Sequence, residues 1–319
     1  MDNTVKAGST QGTATGISFS ERIANIDWWD VVLWVLLFLF VFATLFPFWW
    51  VLRTALTFPD KVYTETASLL PVETTLFNFQ RVLGTLDSTA LVGEEVVNAN
   101  ITTAELNFWI FLRNSFIVSA LITFGQTIFS TAAAYAFARI KFPFRDVIFF
   151  TYLTGLMVPA IVLFIPNFVL IRQLGWIGTY QGLVAPFFLM TPFAVFFMRQ
   201  FFLSLNKDLE EAATLDGATK FGIFWRVALP LIRGPILTLA ILTFIQSWNE
   251  YLWPLLVGFN EDVRVLTVAL GVFREQTPQG APDWTALMAG TALGIVPTIL
   301  IFIFFGRKVV DSIQFSGFK

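Results

Sequence analysis

Six apolar runs divide this chain, near residues 31–52, 111–138, 146–171, 181–203, 231–258 and 284–306. Each reaches the ~20 residues that a helix needs to cross the hydrocarbon core of a bilayer. An even number of crossings places both ends of the chain on one side. Between the fourth and fifth runs the pattern changes: residues 205–230, LNKDLEEAATLDGATKFGIFWRVALP, form a polar, charge-rich island. Leu209, Ala212, Ala213, Leu215 and Ala218 recur at helical spacing, and Asp208, Glu210 and Glu211 occupy a first turn where the helix dipole favours acids. Gly217 permits a turn, after which Phe221, Phe224 and Trp225 offer an apolar face to lay against the bundle, and Pro230 marks the next span. The pattern predicts a helix, a turn and a second helix outside the lipid. An amphipathic element of this kind, anchored by apolar flanks, suits a hook presented to another protein.

Composition agrees with a membrane bundle: 56% hydrophobic, 17% aromatic with 38 Phe, and 13% charged, at a mean hydropathy of +0.72. A net charge of −2 argues against a nucleic-acid partner, and the absence of Cys and His excludes disulfides, thiol chemistry, zinc sites and histidine proton relays. No catalytic or metal-ligating cluster is expected. Residues 1–30 are polar and lack the short apolar core of a removable signal peptide, so the first span is expected to stay. Arg139, Lys141 and Arg145 gather after the second run, and Arg307 and Lys308 after the sixth. The opposite loops are acidic, with Asp60, Glu65, Glu73, Asp87, Glu94, Glu95 and Glu105 in one and Glu261, Asp262 and Asp283 in the other. The positive-inside rule then makes both termini, the 139–145 turn and the 205–230 hook cytoplasmic. The expected organisation is a cytoplasmic segment 1–30, a six-span domain 31–315 with an outer loop 53–110 and the hook 205–230, and a short tail 316–319. The outer loop is either a small cap or docking surface, or a plain surface loop; Asn100-Ile101-Thr102 within it is a formal glycosylation acceptor.

The hook carries a more specific pattern. Glu211-Ala212-Ala213, three residues, Gly217, nine residues, Val227, one residue, then Leu229-Pro230 resembles the EAA loop of permease subunits of ATP-binding-cassette importers, with Val227 where Ile is more usual. The longer run LEEAATLDGATKFGIFWRVALPL is similar to the carbohydrate-uptake branch, and to the second permease subunit of maltose-type systems. Similar wording recurs at Leu112-Arg113-Asn114-Ser115, Ala134–Arg139, Phe142-Pro143, Met157-Val158-Pro159, Arg199–Phe202, Trp248–Pro254 and Leu287–Gly290, so the resemblance covers roughly residues 30–315. Residues 85–107 make a longer outer loop than the branch leads one to expect, and 314–319 lack its Gly/Ala-rich tail. The resemblance implies an all-α polytopic bundle with six transmembrane helices and a cytoplasmic coupling helix, in the plasma membrane. It implies as partners a second homologous permease, two nucleotide-binding ATPase subunits and an extracytoplasmic substrate-binding protein. The chain itself has no G-x-x-x-x-G-K-[ST] loop, so no cofactor is expected on it, and ATP and Mg belong to the partner subunits. Glu210, Glu211, Ala212, Ala213, Asp216 and Gly217 are the expected coupling residues.

A second constellation lies in the fifth run: Trp248, Asn249, Glu250, Tyr251 and Trp253, preceded by Gln246 and Ser247. A carboxylate inside a span is costly unless it pairs or faces water, so these groups should point inward. Aromatic faces with amide and carboxylate groups suit a sugar pathway, and the same residues equally suit interhelical hydrogen bonds. Asn114, Gln126 and Tyr135 in the second span carry the same two readings. Ala286, Gly290 and Gly294 suit close helix packing in the sixth span, while Pro159 and Pro166 should kink the third. The expected function is import of a mono-, di- or oligosaccharide by alternating access. The alternatives are an importer for a non-sugar solute such as polyamine, phosphate or peptide, and a secondary transporter. A secondary transporter would show inverted repeats and would leave the hook idle.

Overall fold

The computed structural model describes residues 28–64, 68–86, 106–271, 273 and 282–314. Most of the expected N-terminal segment, the long stretch within 85–107 with its Asn100 acceptor, and the final tail lie outside the described residues. Among the described residues every regular element is helical, as an all-α bundle requires.

The chain divides after Trp50 into two units. The first contributes α1 (Trp28–Ala55) up to that residue, apolar on every side, with Phe38, Phe42, Phe46 and Trp50 stacked one turn apart along it. A helix without a polar face suits a lipid surround.

The second unit holds the remaining elements. A short helix, α2 (Phe77–Leu83), is followed by α3 (Phe108–Arg139). At 1.5 Å per residue the 32 residues of α3 reach about 48 Å, which makes it the long axis of the unit. It packs against α6 (Tyr180–Phe188), α7 (Pro192–Ser204) and α10 (Arg233–Trp248). Between α3 and α6 lie α4 (Arg145–Leu153), extended by a 3-10 turn at Thr154–Met157, and α5 (Ala160–Gln173). The hook consists of α8 (Asp208–Leu215) and α9 (Lys220–Ile223), the latter prolonged by a π-helical turn Phe224–Ala228 and by Leu229–Leu231. Then come α11 (Leu252–Val257), α12 (Leu266–Ala269) and α13 (Trp284–Gln314).

Three of the expected spans are not continuous. The third bends by 98° between Met157 and Ala160, the fourth by 44° between Phe188 and Pro192, and the chain entering the fifth by 78° at Ile232. Pro159 and Pro192 explain the first two, because each removes a backbone donor where the next helix starts. The run 231–258, read as one span, also stops at Trp248 and restarts at Leu252, so Glu250 lies in a helix break and not within a continuous helix.

At the end of α3 opposite Arg139, residues 56–64 and 68–86 fold back as a cap. Asn78 donates to the carbonyls of Ala55 and Thr57, both at 2.8 Å. Arg81 meets Asp283 at 2.6 Å with both side chains almost wholly buried. The second oxygen of Asp283 accepts from Thr285 Oγ1 and the Ala286 N–H, which caps the start of α13. Of the small residues expected to pack in the sixth span, Ala286 is fully buried and Gly290 presses against Leu270 so closely that a Cβ would collide with it. Replacing Asp283 by Ala would remove the carboxylate that Arg81 meets and uncap α13. The expected cost is about 3–5 kcal/mol, read as a fall of several degrees in the thermal midpoint of the detergent-purified protein. Asp283→Asn combined with Arg81→Met, which keeps a cap and removes the charge, should recover most of it; an unchanged midpoint for Asp283→Ala would refute the anchoring role.

Candidate functional site: the hook and the central cavity

The hook is built by local rules. Asn206 Oδ1 accepts from the Asp208 N–H at the start of α8. At its end the Gly217 N–H bonds to the Thr214 carbonyl and the Ala218 N–H to that of Ala213, both at 3.0 Å. Together with φ = +83° at Gly217 this is a Schellman stop, a backbone state that suits glycine. Thr219 then caps α9 by accepting from the Gly222 N–H at 3.2 Å. The polar island is therefore the helix, turn and second helix that its pattern predicts.

Its six singled-out residues divide between two faces. Glu211, Ala212, Asp216 and Gly217 are exposed, Ala213 is half-buried, and Glu210 turns inward. Glu210 Oε1 lies 3.0 Å from Arg139 Nε, with only 18% and 5% of the two side chains exposed, in a geometry of a charge pair more than of an aligned hydrogen bond. Arg139 Nη2 also donates to the Leu205 carbonyl at 2.6 Å. One arginine at the end of α3 thus holds both the entry to the hook and its first helix. Beneath it Tyr135, Phe202 and Phe224 pack ring on ring, joining α3, α7 and α9. The apolar face expected against the bundle is only partly used: Phe224 packs there, whereas Phe221 (72% exposed) and Trp225 (52%) face outward with Leu215 (89%). In the sequence Arg139 marks sidedness and ends the family-like run Ala134–Arg139, with no role assigned to it. No periodicity relates it to Glu210, so the pairing had no signal in the sequence.

Below the break after α10 lies a cavity of about 420 Å³. From α3 it is bordered by Ser115, Ser119 and Gln126, from α10 by Thr243, Gln246, Ser247 and Trp248, and beyond the break by Glu250 and Trp253; Phe187 and Phe193 add apolar wall. Glu250 Oε1 accepts from the N–H groups of Leu252 (3.1 Å) and Trp253 (3.3 Å), so this carboxylate caps α11 while it borders the cavity. Its own carbonyl accepts from Thr267 Oγ1 at 2.9 Å. Trp248 donates to the Gly294 carbonyl of α13, and Trp253, 1% exposed, donates to that of Gly182 between the rings of Phe164 and Phe187. Of the five residues singled out here, Trp248, Glu250 and Trp253 meet at the cavity. Asn249 instead folds its amide onto the Ile245 carbonyl at 2.7 Å, and Tyr251 is 40% exposed away from the lining. Of the second-span polar residues, Gln126 reaches the cavity and donates to Thr191, Asn114 is fully buried and donates to the carbonyls of Asp262 and Arg264, and Tyr135 belongs to the packing under the hook. Among the described residues no cluster of acidic side chains could hold a metal.

Comparison with known proteins sets this architecture in a family. Residues 126–313, more than half of the chain, match the model of the "Binding-protein-dependent transport system inner membrane component". The arabinooligosaccharides transport system permease protein AraQ of Halalkalibacterium halodurans is 36% identical over 212 residues, 66% of this chain and 75% of that protein. The sn-glycerol-3-phosphate transport system permease protein UgpE of Escherichia coli is 31% identical over 91% of this chain and 99% of its own length. A crystal structure of a bacterial ABC transporter involved in the import of the acidic polysaccharide alginate contains a chain with the same fold, at a TM-score of 0.72 and 24% identity, over 91% of this chain and 98% of that one. With its apolar helices and this match, the chain belongs to the binding-protein-dependent transport system inner membrane components, as a multi-pass permease subunit and not itself an enzyme.

Proposed function

We propose that this permease carries a sugar across the plasma membrane by alternating access, in complex with a second homologous permease, two ATPase subunits that hold ATP and Mg, and an extracytoplasmic binding protein. Both termini and the hook lie in the cytosol, as the Arg and Lys distribution supports. The observation that carries the reading is the hook, a stiff two-helix element whose exposed face mixes acids with Leu215, Phe221 and Trp225, and whose inner face is clamped to the bundle by Arg139. Such a surface fits a groove on a partner protein and transmits force, because it cannot slide independently of α3 and α7. From α9 the chain turns at Ile232 into α10, whose 16 residues run about 24 Å to Trp248 on the cavity wall. Movement of the hook with a closing ATPase pair therefore tilts the helix that borders the cavity, the kind of two-state hinge that opens a bundle to alternate sides. Sugar as cargo is supported by the AraQ relative and by a cavity that joins aromatic faces to hydroxyl and amide groups. The UgpE relative favours a second reading, a phosphorylated polyol.

The direct test is purification of the tagged chain from its native membrane. A second permease, an ATPase and a binding protein should accompany it; recovery as a homo-oligomer with no ATPase under any condition would overturn the importer. Two substitutions probe the hook within that complex. Gly217→Asp meets open space, so the protein should accumulate nearly as wild type, while the strained turn and added charge abolish ATPase stimulation by the loaded binding protein. Loss of the folded protein would instead give Gly217 a purely structural role. Glu210→Ala leaves Arg139 half-satisfied and should lower stimulated ATPase about tenfold, with the exchange Arg139→Glu plus Glu210→Arg restoring part of it. Stimulation that is unaltered in Glu210→Ala would show that the clamp is not on the transmission route.

A further inference from the structure

From the charges around the cavity we infer that this permease admits uncharged polyhydroxyl solutes and discriminates against anionic ones, with Glu250 as the residue that sets the sign. The inference rests on the transport reading above and narrows its cargo.

Among the described residues Glu250 is the only charged side chain on the wall, and no Lys or Arg of theirs borders the cavity. Three basic groups on neighbouring elements are engaged elsewhere. Arg113 donates to the Asn114 side chain, Arg264 to the Phe259 carbonyl while lying over the Phe111 ring, and Arg199 stacks on Phe149. Nor is the carboxylate free to withdraw. Its Oε1 holds two backbone N–H groups at the start of α11, and swinging away would leave both unsatisfied at membrane depth.

This placement has a second effect. A helix N-terminus is a ready anion site, and the one nearest Glu250 is already occupied by that residue's own carboxylate. α5 also begins on the cavity, at Ala160, but the half-charge of a helix dipole does not offset a full negative charge in a confined site. A phosphate or uronate entering the cavity would meet repulsion with no guanidinium or ammonium to receive it. A neutral polyol meets a different wall. Ser247 Oγ is buried with no protein partner, Ser119, Thr243 and Gln246 add donors and acceptors, and Trp248 supplies an aromatic face. These groups suit hydroxyls, which donate and accept in turn.

The test uses the purified importer complex without its binding protein, so that selection by that protein does not enter. Binding of three probes is measured by titration calorimetry: arabinotriose, trigalacturonate and sn-glycerol-3-phosphate. In the wild type the neutral trisaccharide should bind at least about tenfold tighter than either anion. In Glu250→Gln the amide oxygen still accepts from Leu252 and Trp253, so affinity for the neutral probe should stay within about threefold while the anions gain about tenfold. Should that variant fail to assemble, Gln246→Lys adds a cation to the same wall and should likewise raise anion affinity. Equal affinity for neutral and anionic probes in the wild type, or discrimination untouched by both variants, would overturn the inference. Failure of the wild type to bind any probe would overturn it too, yet stimulation of ATPase by a sugar-loaded binding protein would leave the importer reading standing.

Discussion

A backbone N–H or carbonyl that faces hydrocarbon must find its partner inside the protein, at a cost of several kcal/mol if it does not. This chain breaks its helices repeatedly, and side chains close the breaks of the fourth and fifth spans. Where the fourth span parts, Tyr152 donates to the Met190 carbonyl, Ser130 accepts from the Thr191 N–H, and Thr191 caps α7. Where the fifth parts, Asn249 returns to Ile245, Thr267 takes the Glu250 carbonyl, and Glu250 caps α11. Of these groups, Thr191 and Glu250 also border the cavity. Trp253 is locked by packing, and Glu250 caps α11 and borders the cavity with one carboxylate.

The same economy links the hook to the cavity. Arg139 ends the longest helix of the second unit, and its contacts with Leu205 and Glu210 tie that end to the hook. The rings of Tyr135, Phe202 and Phe224 fill the space below, leaving little slack between hook and bundle. A π-helical turn at Phe224–Ala228 and the bend at Ile232 then redirect the chain into α10. Irregular turns of this kind are weak points of a helix and natural places for it to flex. The rigid parts and the one bend lie in series between the exposed face of the hook and the wall of the cavity.

At the far end of α3 the buried Arg81–Asp283 pair ties α2 to the start of α13. In the described part of the outer loop, Asn78, Arg81 and Val82 are buried while Leu69, Leu70 and Leu76 stay exposed. Asp283 had weight in the sequence only as one acid among several on that side of the chain, yet its two oxygens serve two distinct tasks.

The sequence by itself determined the membrane class, the apolar runs and the hook. These follow from local quantities: stretches of about 20 apolar residues, acids in a first helical turn, and a glycine at a position that needs positive φ. It also brought Trp248, Glu250 and Trp253 forward, because an ionisable residue beside aromatics in an apolar run is conspicuous wherever it occurs. What only the tertiary structure decided is which residues meet. The pairing of Arg139 with Glu210 spans 71 positions and that of Arg81 with Asp283 spans 202, separations across which hydrophobic periodicity carries no information. The bend at Ile232, the break that turned one expected span into α10 and α11, and the exposure of Tyr251 away from the cavity had no signal in the local pattern. Local propensity sets where a helix can form; the partners available to its broken ends set where it stops.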